Sequence, residues 1–442
     1  MIVYKHSVSL DASKCKGCTT CLRRCPTQAI RVRDGKATIN PNLCIDCGEC
    51  IRYCTYKAKK ADFDSLDQID RSKYLIALPA PSLFGQFVNL DDADYLLMGL
   101  KELGFQDVFE VAKAAEIVTE YTRQYIKRAD PTQWPFISTA CPVVVRLISL
   151  RFPTLRSKMI PVLPPIELAG KMAKERALKE HPELKPEDIR TVFISPCPAK
   201  VSWVKNTPPE KERHVDYVVS MSDLYFRLLP KMDRTRIPNV TTEAGVIGMS
   251  WASTGGEASA LMNDHYLAAD GIENVIRVLD DIETGHFPSL HFVELNACPG
   301  GCVGGVMTVE NPYIARVRLQ TLRRYLPISQ NRLRFEEEEA VPKEVLTLTP
   351  GEYSSAEMLN ADRMQSFRMM QEIERIWKSL PGLDCGSCGA PTCRAHAEDI
   401  VRGESSEDDC IIRMREHLQK LVEEHRNGGN HDGTGIGETD EL

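Results

Sequence analysis

The chain has 442 residues, a prior of roughly two to four domains, and its 43% hydrophobic and 26% charged residues are ordinary for a globular protein. Sixty-two acidic against 55 basic residues leave a formal charge of −7, which argues against nucleic acid as the main partner, because phosphate binding wants a basic surface. No apolar run approaches the roughly 18 residues that span a bilayer, and the N-terminus lacks the apolar core of a signal peptide, so a cytoplasmic location is expected.

The informative count is 16 cysteines. In a cytosolic chain that abundance points to metal or redox chemistry rather than disulfides. Cys15, Cys18, Cys21 and Cys25 read C-x2-C-x2-C-x3-C, with Pro26 next. Cys44, Cys47, Cys50 and Cys54 repeat the spacing, with Thr55 in the proline's place. This tandem run resembles a bacterial two-cluster ferredoxin, in which the fourth cysteine of each run ligates the other [4Fe–4S] cube. On that pattern Cys15, Cys18, Cys21 and Cys54 hold one cube, and Cys44, Cys47, Cys50 and Cys25 hold the second. Between the runs, Ala29–Arg33 and Ala37–Asn40 are expected as a short hairpin around Gly35. Zinc is the alternative, but no histidine lies between Lys14 and Thr55 to complete a mixed site. Such a module relays electrons and is not itself a catalyst.

Further along, Tyr74–Leu78 is strand-like and leads into Ala80-Pro81-Ser82. Three strand-like runs then precede cysteines: Trp134–Ala140 before Cys141, Thr191–Pro196 before Cys197, and Leu290–Ala297 before Cys298. Amphipathic stretches such as Ile166–Leu178 and Glu257–Leu267 are expected as helices between them. Cys302 follows Cys298 by four residues, the spacing of one face at a helix start. Strand–loop–helix units put their chemistry at strand C-termini. A folded α/β domain, sheets flanked by helices, is therefore expected to gather these four cysteines.

At these residues the chain resembles the [FeFe]-hydrogenase catalytic domain. That family's signatures T-S-C-C-P, M-P-C-x-x-K-K and E-x-M-A-C-P-x-G-C-x-x-G-G-G read here as Ser138-Thr139-Ala140-Cys141-Pro142, Ser195-Pro196-Cys197-Pro198-Ala199-Lys200-Val201, and Glu294 through Gly305. The resemblance implies an H-cluster: a [4Fe–4S] cube on Cys141, Cys197, Cys298 and Cys302, with Cys302 bridging to a two-iron subcluster bearing CO, cyanide and azadithiolate. It implies that Lys200 and Ser82 donate to the cyanides, and that hydrogen and protons are the substrates. Gly300, Gly301, Gly304 and Gly305 suggest close backbone packing around the cluster. Hydrogenase maturases and an electron-transfer or signalling protein are the implied partners.

Four departures from the family stand out. The relay cysteine is Ala140, and a methyl group carries no proton. The pocket methionines are Ser195 and Asn296. The last signature glycine is Val306 and the second lysine is Val201. The relay carboxylates shift in register to Glu116 and Glu120. The pattern resembles the divergent, sensory branch of the family, with slow hydrogen turnover. Glu257, after Ser253-Thr254-Gly255-Gly256, is a candidate substitute relay; a surface glutamate at a helix start is the alternative.

The last group, Cys385, Cys388, Cys393 and Cys410, reads C-x2-C-x4-C-x16-C and resembles a small C-terminal Fe–S module, a further [4Fe–4S] cube. Ala395–Arg402 is expected as a helix inside it. Ala356–Leu380 is a methionine-rich helical run (Met358, Met364, Met369, Met370), with core packing as its reading. The expected organisation is a ferredoxin-like α+β domain over 1–62, the H-cluster domain over 70–325, a linker over 326–355, a helical Fe–S domain over 356–425, and a disordered tail over 426–442. Three ordinary cubes would then connect the H-cluster to an outside partner. Relatives that act in iron–sulfur assembly keep the same four cysteines and also show Ala-Cys-Pro, so a non-catalytic carrier or assembly factor is the competing reading, with an electron-transfer subunit a third.

Overall fold

The computed structural model describes residues 4–208, 213–232, 241–336, 339–346, 359 and 362–428. By their contacts the residues fall into two compact units: Met1–Lys14 with Asn40–Ala356, and Cys15–Ile39 with Glu357–Leu442.

The first unit is built on two parallel sheets. One runs Asp107–Val108, Tyr74–Pro79, Ile189–Ser195, Tyr217–Ser220 in spatial order. Its two central strands are apolar on both faces, with Leu75, Ile76, Ala77 and Leu78 sealed from solvent, as strands covered by helices on each side must be. The helices Ala93–Glu102, Val111–Arg128 and Pro165–Glu180 build the core around it. The other sheet orders Tyr266–Asp270, Phe292–Asn296, Phe136–Ile137. It has its own core with the helices Pro142–Arg151 and Ile272–Glu283. The second of these buries Ile272, Val275, Leu279 and Ile282, the recurrence of an amphipathic helix docking one stripe. Val8–Leu10 pairs antiparallel with Lys59–Ala61. Within residues 326–346, Val341 and Val345 are buried in the large core, so the described part of that segment is packed.

The second unit joins the hairpin Ile30–Arg33/Lys36–Ile39 to three helices, Arg363–Ser379, Cys393–Val401 and Ile411–Gly428. The Val32 N–H donates to the Gly389 carbonyl at 2.9 Å. Arg31 and Arg33 both donate to the buried Asp399 carboxylate, at 2.7–2.9 Å. A small core of Ile373, Ile376, Leu380 and Ala397 closes beneath.

Most expected elements form within a residue or two. Three do not. Glu257–Leu267 is a short helix, Gly256–Ala260, followed by the strand Tyr266–Asp270, because that strand finds a parallel partner in Phe292–Asn296. Cys298 and Cys302 lie on no α-helix. A turn with positive φ at Gly300 and Gly301 leads into a 3-10 turn at Cys302–Gly304. The methionines of Arg363–Ser379 do not form a core: Met364 and Met370 are exposed, and Ile373 and Ile376 are buried instead. Met358 and the tail from 429 lie outside the described residues, whereas 426–428 end the last helix. Among the described residues no helix is long and apolar enough to cross a membrane.

Candidate metal centre

The four scattered cysteines are delivered by the two sheets. Cys141 follows Phe136–Ile137 and Cys298 follows Phe292–Asn296, both in the three-stranded sheet; Cys197 follows Ile189–Ser195 in the four-stranded one. Cys141 and Cys197 are each the N-cap of a helix whose first residue is proline. Proline is pre-shaped for that position and the missing N–H costs nothing there. These two Cys-Pro pairs are thus helix starts, and they place two thiols where a helix dipole favours negative charge. Backbone packing then closes the site. A Cβ on Gly305 would come 2.2 Å from the Pro196 carbonyl oxygen, and one on Gly304 would come 2.0 Å from that of Pro299.

All four sulfurs interact electrostatically. Burial pushes the Cys197 thiol up to about 11 and that of Cys302 to about 12, and Cys298 rises well above its ordinary value, with the neighbouring thiols adding to the burial. Four such groups ionise together only around a compensating cation. The donor set therefore fits an iron–sulfur cube, which wants four thiolates.

Lys200 is no free surface lysine. Its ammonium donates to the Ala140 carbonyl at 2.8 Å and lowers the pKa of both Cys197 and Cys302. Ser82 is fully buried after the strand Tyr74–Pro79, and its hydroxyl lies 3.9 Å from Met221 Sδ, a weak acceptor. The polar replacements are already engaged. Ser195 Oγ donates to the Cys197 carbonyl and accepts from the Cys197 N–H. Asn296 Nδ2 donates to Glu294 Oε1.

Glu257 is buried, not a surface residue. Ser138 Oγ donates to Glu257 Oε2 at 2.6 Å and accepts from the Ala140 N–H at 3.2 Å. Burial, and then the Glu294 carboxylate, raise the Glu257 pKa to about 8. Glu294 accepts from the N–H groups of Gly255 and Ala258, yet burial raises it too. Sequence reasoning kept Glu294 only as a signature letter; its pairing with Glu257 needs the parallel register that sets their strands and turn side by side. Glu116, by contrast, is a structural hub. Its carboxylate accepts from the N–H groups of Gly245, Gln330 and Asn331, from Ser329 Oγ and from Asn331 Nδ2. Glu120 pairs with Arg123 at 2.6 Å. Neither is free to relay.

The second cysteine run belongs to the same unit. Arg146 donates to the carbonyls of Cys44 and Asn42, Arg52 donates to the Gly304 carbonyl at 2.7 Å, and Ser202 Oγ donates to the buried Asp46 carboxylate at 2.7 Å. The two runs share local geometry. The Ala29 N–H donates to Cys25 Sγ at 3.2 Å, and the Ala58 N–H donates to Cys54 Sγ at 3.2 Å. In the second unit Cys385, Cys388, Cys393 and Cys410 line one cavity.

Residues 7–55 match a 4Fe-4S dicluster domain, and residues 380–412 match an Fe-S cluster domain. The periplasmic [Fe] hydrogenase large subunit of Nitratidesulfovibrio vulgaris is 26% identical over 368 residues, covering 68% of this chain and 86% of that protein. Iron hydrogenase 1 of Clostridium pasteurianum is 23% identical, covering 68% of this chain and 64% of its own length. The cytosolic Fe-S cluster assembly factor NAR1 of Yarrowia lipolytica is 25% identical over 203 residues, 42% of this chain and 41% of that protein. The solved structure of an [FeFe]-hydrogenase HydA1 variant from Chlamydomonas reinhardtii aligns over 62% of this chain and 88% of its own, at 16% identity and a TM-score of 0.47. Residues 73–262 and 227–306 match the family described as iron only hydrogenase large subunit, C-terminal domain, and across that half of its length the chain belongs to the iron-only hydrogenase family.

Proposed function

We propose that this iron–sulfur protein binds and cleaves, or evolves, hydrogen at an H-cluster, slowly and in a sensing or regulatory role in the cytoplasm. Cys141, Cys197, Cys298 and Cys302 would hold its cube, with Cys302 also bridging to a two-iron subcluster carrying CO, cyanide and azadithiolate. That group, when bound, supplies the heterolytic chemistry on hydrogen. The chain's own work is to hold it, to shield it and to move the proton. Lys200, anchored on the Ala140 carbonyl, keeps an ammonium beside the cysteines, where an anionic ligand would accept a charge-assisted bond. Ser82 would serve as a second donor. The remaining twelve cysteines would hold three ordinary cubes that carry electrons to a protein partner.

The observation that carries the slow, sensory reading is at Ala140. The thiol expected there is gone; beside it stand the Lys200 ammonium and the Ser138 hydroxyl, the latter bonded to the buried Glu257. A positioned acid–base group is worth about 10²–10⁴-fold in rate. The detour through Ser138 and Glu257 replaces part of that. Hydrogen oxidation with an artificial redox dye, after maturation, should therefore be measurable but at least about a hundredfold below the fast enzymes of the family. Rates equal to theirs would remove the sensory reading.

The second reading, a non-catalytic assembly factor, draws on Ala140-Cys141-Pro142 and on the likeness to the Yarrowia lipolytica protein. Infrared spectra separate the two. Maturation should install CO and cyanide stretching bands that Cys302→Ala abolishes, and their absence would favour assembly.

A further inference from the structure

We propose that Arg52, a residue of the second cysteine run, tunes the four-cysteine site: its guanidinium is fixed on the turn that carries Cys298 and Cys302, and its positive charge makes the cube there easier to reduce. This rests on reading Cys141, Cys197, Cys298 and Cys302 as ligands of one cube. Arg52 is the last residue of the short helix Glu49–Arg52, between Cys50 and Cys54. Its Nη2 donates to the carbonyl of Gly304, two residues after Cys302, at 2.7 Å. Gly304 in turn is pressed on the residue after Cys298, since a Cβ there would come 2.0 Å from the Pro299 oxygen. The guanidinium therefore sits against backbone that folds across both ends of the Cys298–Cys302 turn. Glu49 Oε1 accepts from Nε at 3.1 Å, so the planar head group has two fixed partners and one orientation.

An arginine keeps its proton under all ordinary conditions, so this charge is permanent. The side chain of Arg52 is 25% exposed and that of Glu49 11%, and water screens the charge only in part. Its field reaches the site. Burial raises the Cys298 pKa most, the thiols of Cys197 and Cys141 add to it, and Arg52 pulls it back. Lys200 acts in the same sense on Cys197 and Cys302. Lys200 belongs to the Cys197 segment itself, whereas Arg52 reaches in from another cluster's run. Reduction adds one negative charge to a cube, and a fixed cation beside it stabilises that state and raises the potential. Glu49 partly neutralises the cation. Removing either member of the pair should therefore move the potential, and in opposite directions.

The test uses the full chain reconstituted anaerobically with iron and sulfide, without maturases, and follows each cube by EPR in a potentiometric titration. The signal lost in Cys141→Ser/Cys298→Ser assigns the four-cysteine site, and the signal lost in Cys388→Ser/Cys410→Ser serves as internal reference. Arg52→Gln should move the first signal to more negative potential, with unchanged iron and an unmoved reference. Arg52→Lys, which keeps the charge, should recover most of the shift, and Glu49→Gln should move the signal to more positive potential. An unmoved signal in Arg52→Gln would overturn the proposal. So would a shift of equal size in Arg52→Lys, or the same direction of shift in Glu49→Gln, either of which makes Arg52 a structural tie. Should Arg52→Gln lose iron, Glu49→Gln decides: a positive shift supports the charge and an unchanged potential overturns it. If Cys141→Ser/Cys298→Ser keeps its full iron, the reading of those cysteines as cube ligands fails, and that outcome is distinct from the others.

Discussion

Glu257 shows how one substitution redistributes a site's chemistry. On the proposed reading Ala140 stands where a relay thiol is expected, and Ser138, two residues away, is bonded to a buried carboxylate whose pKa burial and Glu294 raise to about 8. At neutral pH that carboxyl is protonated and can donate. Glu257→Gln keeps the volume and the hydrogen bond to Ser138 but holds no exchangeable acid. It should slow turnover about 10²-fold or more while the infrared bands of the loaded site stay in place. The same shift has a consequence for folding of the metal-free chain. A carboxyl raised from 4.5 to about 8 favours the folded state fully below pH 4.5, and that contribution is lost as pH rises to about 8. Urea midpoints of wild-type chain should therefore fall over this window relative to Glu257→Gln. Parallel midpoint curves for the two proteins would show that Glu257 is not held protonated.

At the scale of elements, the site is made by strand ends and by the backbone that locks them. Gly305 locks the turn that carries Cys197, since an added Cβ would lie 2.2 Å from the Pro196 oxygen, one residue before that cysteine. Gly305→Ala must push the Cys197 turn away, at about 1–3 kcal/mol for overpacking. Iron bound by the four-cysteine site should fall with it, while a Gly35→Ala control, with nothing near its Cβ, costs only its positive φ of 70°. This layer was partly legible from sequence. Apolar runs ahead of Cys141, Cys197 and Cys298 announced strands, whereas the helix starts at Pro142 and Pro198 emerge only in the structure. The turn between Cys298 and Cys302 was misread as helix because spacing of four is shared by a helix face and by a tight double-glycine turn. The helix expected to run to Leu267 was cut short by a parallel partner 26 residues downstream at Phe292, and local pattern carries no information on such pairing. Glu116 looked like a relay carboxylate in shifted register; only the loop that returns at Ser329–Asn331 reveals it as a hub. The exposed methionines of Arg363–Ser379 were misjudged for a similar reason: which stripe of an amphipathic helix is buried depends on what packs against it.

Over the whole molecule, 16 cysteines sort by sequence into four sets of four with none left over. The scattered set is gathered by two sheets, and the C-terminal set lines one cavity. The two N-terminal runs repeat the same N–H to sulfur bond. Asp399 provides a way to disturb one unit without touching a ligand. It is 2% exposed and receives Arg31 and Arg33, and removing one partner of a buried pair costs about 3–5 kcal/mol. Because both arginines keep some solvent access, Asp399→Ala should cost about 2–3 kcal/mol, seen as a lower urea midpoint of the second unit with no change in iron. Ligand loss should behave in the opposite way. Four cubes need about 16 irons, and a filled two-iron site brings about two more. Anaerobic reconstitution followed by iron and acid-labile sulfide assays should approach the first value without maturases. Cys388→Ser/Cys410→Ser should then remove about four irons and leave the rest, because the C-terminal set shares no cysteine with the other cubes. A wild-type value near 8 irons, or stoichiometric zinc, would mean that the partition is wrong, and with it the electron route on which a hydrogen-responsive output depends.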